Sequence, residues 1–168
     1  DQMMTNIIDF GLAINVDTKL NIKGMSDQLL GTLPYISPEQ TGRVNHAVDY
    51  RSDLYSLGVV LYELFTGQLP FNAADPLELI HAHLAITPQP LSSINHEIPT
   101  VFSDIILKLL SKDVEKRYQS ARGLLEDLKK CMNQAALRVE IQHFELAQND
   151  ESGRFLIPSK IYGREEQI

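Results

Sequence analysis

Residues 31–39 read GTLPYISPE, and this stretch decides the fold because three other motifs lie at compatible distances on either side of it. Upstream, residues 9–11 read DFG and follow the apolar pair Ile7-Ile8. Downstream, residues 53–58 read DLYSLG and residues 116–121 read KRYQSA. One tripeptide occurs easily by chance, whereas four motifs in a fixed order form a specific signal.

In this order the motifs resemble those of a eukaryotic-type Ser/Thr protein kinase, from the metal-binding Asp to the end of the C-lobe, over about residues 5–135. The resemblance implies an α+β protein-kinase-like fold. The part present would be the mainly α-helical C-lobe, a short β segment at residues 5–10 and the activation loop. It also implies ATP and Mg²⁺ as cofactors and a protein substrate with a Ser or Thr acceptor.

The family assigns the metal site to the DFG motif. By its position Asp9 is the Mg²⁺ ligand, since the metal neutralises the phosphates through a hard carboxylate oxygen. Phe10 would pack to orient Asp9, and Gly11 would let the backbone turn. The alternative is a strand end that is capped by a turn, with Asp9 solvated.

Thr32 lies in the segment that kinases of this family hold against the substrate hydroxyl. The resemblance implies that its hydroxyl helps to position the catalytic-loop groups, and that residues 33–35 shape the pocket beside the acceptor. The pattern Gly31-Thr32-x-x-Tyr35 matches the Ser/Thr-specific branch of the family. Without that context, Thr32 would be a threonine in a surface turn.

Three further residues are expected to be structural anchors. The family pairs Glu39 with Arg117 in a buried salt bridge that anchors the activation segment on the helical lobe; the alternative is two independent surface charges. Asp53 begins an apolar helix, where a carboxylate is costly unless it accepts hydrogen bonds. In the family it holds the backbone of the catalytic loop, and a plain N-cap is the competing interpretation.

Apolar spacing predicts the helices. Residues 53–66 leave almost no polar face, which predicts a helix that is buried on all sides. Asp75 and Pro76 are typical of a helix start, and a further helix is expected after Thr100. A last helix is predicted over about 120–137, with four residues facing inward: Leu124, Leu125, Leu128 and Met132.

The C-terminal residues differ in character. We expect the kinase lobe to occupy residues 1–138, a polar and turn-rich linker to occupy 139–160, and a following ATPase module to begin at 161–168. This tail and the run SPEQTGR at 37–43 are similar to the kinase modules of large bacterial signalling proteins. Those proteins join a kinase to a P-loop ATPase and often to a sensor histidine kinase.

Composition excludes several other classes. The net charge of −7 argues against nucleic acid or an anionic membrane as the main partner. No apolar stretch reaches the roughly eighteen residues of a membrane span. The lone Cys131 excludes an internal disulfide framework and fits a reducing cytoplasm.

The family places the N-lobe and the catalytic loop before the DFG motif, so we expect those groups to be missing from residues 1–8. The isolated chain is therefore expected to be inactive, and its parent is expected to be a kinase. The alternative is a pseudokinase-type scaffold or binding module. Retention of Asp9, Thr32 and Glu39 favours the enzyme, because a scaffold has no chemical need for the metal ligand.

Overall fold

The computed structural model describes residues 33–137 and 141–150 of the chain. Within these two ranges every regular element is helical. The β segment that was predicted at residues 5–10 lies outside the described residues, as do the loop up to Leu30 and the tail from residue 151 onward. The described part therefore corresponds to the helical portion of the predicted fold.

Five α-helices follow one another along the described part: α1 (Arg51–Thr66), α2 (Pro76–Ala85), α3 (Leu91–Ile94), α4 (Thr100–Leu109) and α5 (Ala121–Ala136). Three short 3-10 helices complete it, at Leu33–Tyr35, Pro38–Thr41 and Val114–Lys116.

Helix α1 is the centre of the packing. It supplies residues to two hydrophobic clusters, one shared with α4 and α5 and the other with α3 and α4. Gly58 sets the closest approach, because a Cβ atom at this position would lie 2.8 Å from the Cβ of Leu109. Only a glycine lets the two helices pack at this distance.

The prediction that α1 is buried on all sides is wrong for the described residues. One face packs on α4, but the opposite face leaves four apolar side chains exposed: Leu57, Val60, Leu64 and Phe65, with Leu64 at 72% exposure. The reason is physical: the Phe65 ring contacts the Phe102 ring of α4, with ring centres 4.7 Å apart, but the described elements leave much of this face uncovered. An apolar composition alone cannot tell which side of a helix has a neighbour.

The start of α2 follows the predicted capping chemistry. Asp75 caps α2 by accepting a hydrogen bond from the backbone N–H of Leu77 at 2.9 Å, which confirms the predicted start. Ser120 caps α5 by accepting from the N–H of Gly123 at 2.9 Å. The inward orientation that was predicted for Leu125 and Met132 is wrong, since they are 48% and 69% exposed.

Candidate functional site

The predicted site residues fall into two groups. Asp9, Phe10, Gly11 and Thr32 lie outside the described residues. Glu39, Arg117 and Asp53 lie within them, so the structure describes the anchoring part of the predicted site.

The structure brings Glu39 and Arg117 together, although they are 78 positions apart in the sequence. Arg117 Nη1 donates to Glu39 Oε1 and Nη2 donates to Oε2, both at 2.7 Å. The hydroxyl of Ser52, on the first turn of α1, donates to the same Oε1 at 2.6 Å. This is a two-pronged, charge-assisted pair with a third donor, the geometry in which ion pairs are strongest.

Both partners are almost fully buried, with side chains 0% and 1% exposed. Burial by itself would raise the pKa of the Glu39 carboxyl, but hydrogen bonds from Arg117 and Ser52 and the charge of Arg117 outweigh it. The pKa of Glu39 is therefore lowered below its ordinary value. The carboxylate stays ionised in the interior because its partners replace the water it has lost.

The remaining donors of Arg117 bind backbone carbonyls. Its Nε donates to the carbonyl oxygen of Ser111 at 2.8 Å, and Nη1 also donates to that of Arg51 at 3.2 Å. One guanidinium thus joins the 3-10 helix at Pro38–Thr41, the start of α1 and the turn after α4. The pair works as a clamp between three segments.

A second buried arginine extends the clamp. Arg51 donates from Nε and Nη2 to the carboxylate of Asp49, and from Nη1 to Glu115 Oε1 at 2.9 Å and Gln119 Oε1 at 2.6 Å. Its side chain is 1% exposed. The start of α1 is therefore fixed on the turn at 115–119 by charge-assisted bonds.

Asp53 is exposed on the first turn of α1, and no hydrogen bond to its carboxylate is found within the described residues. The N-cap interpretation is wrong, because α1 begins at Arg51, two residues before Asp53, and its N-cap is Tyr50. The expected bond to the catalytic-loop backbone stays a prediction.

The segment Leu33–Tyr35 is held on α1 by side-chain bonds. The hydroxyl of Tyr35 donates to Glu63 Oε2 at 2.8 Å, and Ser56 Oγ donates to the carbonyl oxygen of Tyr35 at 2.8 Å. Leu33 is 3% exposed and packs against residues of α2. The stretch that was predicted to shape the acceptor pocket thus rests on both α1 and α2.

His83 is a buried residue of this region whose role the sequence did not indicate. It is 0% exposed on α2, and its Nδ1 lies 3.0 Å from the hydroxyl oxygen of Tyr55. Its Nε2 finds no hydrogen-bond partner in the described part of the chain. Burial and the nearby Lys112 lower the pKa of His83 to about 4, against the opposing effect of the Pro34 and Leu33 carbonyls. The spacing of Leu79 and His83 on one helical stripe was the signal that could have placed it inside.

Lys112 completes this second cluster. Its Nζ lies 4.0 Å from the centre of the Phe71 ring and within hydrogen-bond distance of the Tyr55 hydroxyl and the Ala82 carbonyl, at 3.4 and 3.3 Å. Burial and the charge of Arg117 lower the pKa of Lys112 to about 7. These contacts bring no opposite charge to offset burial and the repulsion from Arg117, so this cluster favours the neutral amine.

Across residues 33–137 and 141–150, the structure contains no group of His, Cys, Asp or Glu side chains that could hold a metal ion. No helix in these ranges combines the length and the apolar character that crossing a bilayer requires.

The helical fold and the buried Glu39–Arg117 pair agree with what the resemblance to protein kinases implied, and a sequence comparison identifies the family. The protein kinase domain family matches residues 1–129. Since the match covers most of the 168 residues, the chain belongs to the protein kinase domain family.

Two individual relatives are similar to most of the chain. The chain is 40% identical to hybrid signal transduction histidine kinase G of Dictyostelium discoideum, over 82% of its length. It is 36% identical to serine/threonine-protein kinase PknB of Mycobacterium tuberculosis, over 76% of its length. The matched regions make up 5% and 20% of those two proteins, so the chain spans a fifth or less of the relatives' length.

Proposed function

We propose that this chain is the C-lobe part of a Ser/Thr protein kinase that transfers the γ-phosphoryl group of ATP to Ser or Thr hydroxyls of a protein substrate in signalling. The parent would act in the cytoplasm. The observation that carries the proposal is the buried Glu39–Arg117 clamp, which fixes the segment Pro38–Thr41 on the helical platform. A clamp of this kind holds an otherwise irregular segment in one geometry.

Holding that segment matters for phosphoryl transfer because the reaction depends chiefly on positioning and on electrostatic stabilisation. Residues 33–35 would form the wall of the acceptor site, supported from below by Ser56 and Glu63. Thr32, directly before them, would position the acceptor and the catalytic groups. The described residues would thus orient the protein substrate.

The nucleotide end of the site would depend on the DFG motif. Asp9 would supply a carboxylate ligand for Mg²⁺, with Phe10 and Gly11 setting its orientation; the bound metal neutralises the phosphate oxygens. No general base and no phosphate-gripping ammonium of the family pattern occurs in residues 1–8. The 168-residue polypeptide alone is therefore expected to transfer no phosphate.

The deciding experiment is to read the gene around the codon for Asp1 and to express the whole open reading frame. A His-Arg-Asp type loop with its Asn, together with transfer of ³²P from [γ-³²P]ATP to a Ser/Thr protein substrate, is the expected result. An Asp9→Asn variant should lose that transfer, while a variant at exposed Asp75 should keep it.

The scaffold alternative predicts the opposite outcome of the same experiment. A degenerate catalytic loop and no ³²P transfer by the full protein would overturn the kinase proposal. Transfer by the purified 168 residues would contradict the expectation that the missing groups are required.

The signalling context rests on the relatives. The Dictyostelium protein is named a hybrid signal transduction histidine kinase, which supports a parent in which the kinase lobe is followed by further signalling modules. The parent would therefore carry ATPase and histidine kinase modules after the kinase lobe. The sequence of the tail at residues 155–168 also supports this arrangement.

A further inference from the structure

Residues 141–150, here called the strap, lie along α5 in the opposite direction to the helix. The N–H of Gln142 donates to Gln134 Oε1 at 2.7 Å, and the N–H of Ala147 donates to Asp127 Oδ2 at 2.7 Å. As the residue number along the strap rises, the residue number of its partner on α5 falls. The partners recur at helical spacing, so the strap follows one row of α5 side chains.

The strap also completes the hydrophobic core. Four of its apolar residues pack against the cluster formed by α1, α4 and α5: Ile141, Phe144, Leu146 and Ala147. Lys130 Nζ lies 4.9 Å from the centre of the Phe144 ring. Apolar burial together with paired backbone groups distinguishes a docked segment from a solvated linker.

Asp150 fixes the end of the strap at the start of α5. Its carboxylate accepts from the backbone N–H of Gln119 and, at 2.7 Å, from the hydroxyl of Ser120. A Cβ atom at Gly123 would collide with the Asp150 carboxyl group. The glycine therefore opens the space that lets the carboxylate reach the N-terminus of the helix, where negative charge is favoured.

Gln119 joins this end of the strap to the clamp at Glu39 and Arg117. Its N–H is bound by Asp150, while its side-chain oxygen accepts from Arg51 Nη1 at 2.6 Å. Its Nε2 donates to the carbonyl oxygens of Val114, Glu115 and Arg117. One residue therefore fixes the backbone of Arg117 and contacts both the strap and α1.

We propose that docking of the strap is coupled through Gln119 to the Glu39–Arg117 clamp, so that release of the strap loosens residues 37–42. The strap continues directly into residues 151–168, so a force or a partner acting on that tail would act on the clamp. The coupling is a property of the folded lobe and goes beyond the proposed phosphoryl transfer. It holds whether the parent is a kinase or a scaffold.

The test is hydrogen exchange of the 168-residue chain measured residue by residue by NMR. The N–H of Ala147 reports on the strap. The N–H groups of Gln40 and Gly42, which bind the carbonyl oxygens of Ser37 and Glu39, report on the clamp. Asp150→Ala should speed exchange about tenfold or more at Ala147 and about threefold or more at Gln40 and Gly42.

Two variants keep the result interpretable. Glu145→Ala removes an exposed carboxylate of the same strap, whose bond to Gln148 stays within the strap, and should leave exchange at the clamp within about twofold of wild type. Gly123→Ala should release the strap by occupying the place of the Asp150 carboxyl, while favouring the helical state of α5 itself. It therefore serves if Asp150→Ala fails to fold.

The coupling route is tested with Gln119→Ala. In that background, Asp150→Ala should no longer change exchange at Gln40 and Gly42 beyond about twofold. Fast hydrogen exchange of the Ala147 N–H in the wild-type chain would show that the strap is not docked. Release of the strap that leaves Gln40 and Gly42 at wild-type exchange rates would overturn the coupling, and persistence of the effect without Gln119 would overturn the route.

Discussion

Two buried polar clusters lie five residues apart along the chain, and they treat charge in opposite ways. At Arg117 a guanidinium is matched by the Glu39 carboxylate, and the pKa of Glu39 is lowered so that both groups stay charged. At Lys112 the contacts are aromatic rings, a hydroxyl and a carbonyl, with no opposite charge among them. Burial and the nearby positive charges (Arg117 for Lys112, Lys112 for His83) lower the pKa values of Lys112 and His83 toward their neutral forms.

The difference lies in the partners and not in burial alone, because side chains of both clusters are removed from water. A buried group keeps its charge where an opposite charge and hydrogen bonds replace the solvent, and gives it up where they do not. The charged cluster holds residues 37–42. The neutral cluster lies beside residues 33 and 34, whose backbone carbonyls raise the pKa of His83 against the larger effect of burial.

Breaking the charged cluster should have the largest effect. Arg117→Met leaves the Glu39 carboxylate buried without its partner, which typically costs about 3–5 kcal/mol. Urea unfolding followed by circular dichroism should show a large fall in the midpoint. Arg122→Met makes the same change at an exposed position on α5 and should shift the free energy of unfolding by about 0.5 kcal/mol or less. A loss below about 1 kcal/mol for Arg117→Met would mean that the pair is replaceable by water.

The neutral cluster should make the fold sensitive to mild acid. The unfolded chain binds a proton at His83 near pH 6.5 and the folded chain only near pH 4. Acidification from pH 6.5 toward 4 therefore favours the unfolded state, by about 3 kcal/mol in total. His83→Phe should flatten this part of the stability curve, whereas His96→Gln, at an exposed position, should preserve it. The same slope in wild type and His83→Phe would show that another group is responsible.

Lys112 should make the stability of the fold depend on pH in the alkaline range. The unfolded chain holds this proton up to pH 10.5 and the folded chain only to about pH 7, so stability should rise as the pH rises from 7. Because the amine is half-buried and partly screened by water, we expect a gain of about 1–2 kcal/mol by pH 9.5. Lys112→Met should abolish the rise, and Lys116→Met at an exposed site should leave it. A flat wild-type profile would contradict the suppressed charge.

Loss of a single neutral hydrogen bond should have the smallest effect on the free energy of unfolding. It gives the value against which the other losses are compared. Tyr50→Phe removes the hydrogen bond from the Tyr50 hydroxyl to the neutral carbonyl oxygen of Gln119 and should cost about 0.5–1.5 kcal/mol. Equilibrium unfolding at pH 7 measures it, with Tyr35→Phe as the comparison, since that hydroxyl donates one bond to the charged carboxylate of Glu63. A cost as large as that of Arg117→Met would remove the distinction between charged and neutral contacts.

Local chemistry made part of this structure predictable from the sequence. The caps at Asp75 and Ser120 depend on neighbouring residues alone, so α2 and α5 begin where those residues predict. Glu39 and Arg117 were paired only through the resemblance to kinases, because no local signal links positions so far apart.

The features that the sequence did not predict depend on which elements pack against each face of a helix. The apolar pattern of α1 could not indicate that Leu64 is exposed, and the helical stripe of α5 did not show that Met132 is exposed. The polar composition of residues 147–150 indicated a linker, yet Asp150 binds the start of α5. These outcomes are set by contacts between distant segments.

The most direct test of the account is a double-mutant cycle on Glu39 and Arg117. Glu39→Met, Arg117→Met and the double variant are compared with wild type by urea unfolding at pH 7. If the two groups form one buried, mutually dependent pair, the double variant should be more stable than the sum of the single losses predicts, by at least about 2 kcal/mol. Losses that add within about 0.5 kcal/mol would contradict the clamp as the element that fixes residues 37–42 on the helical platform.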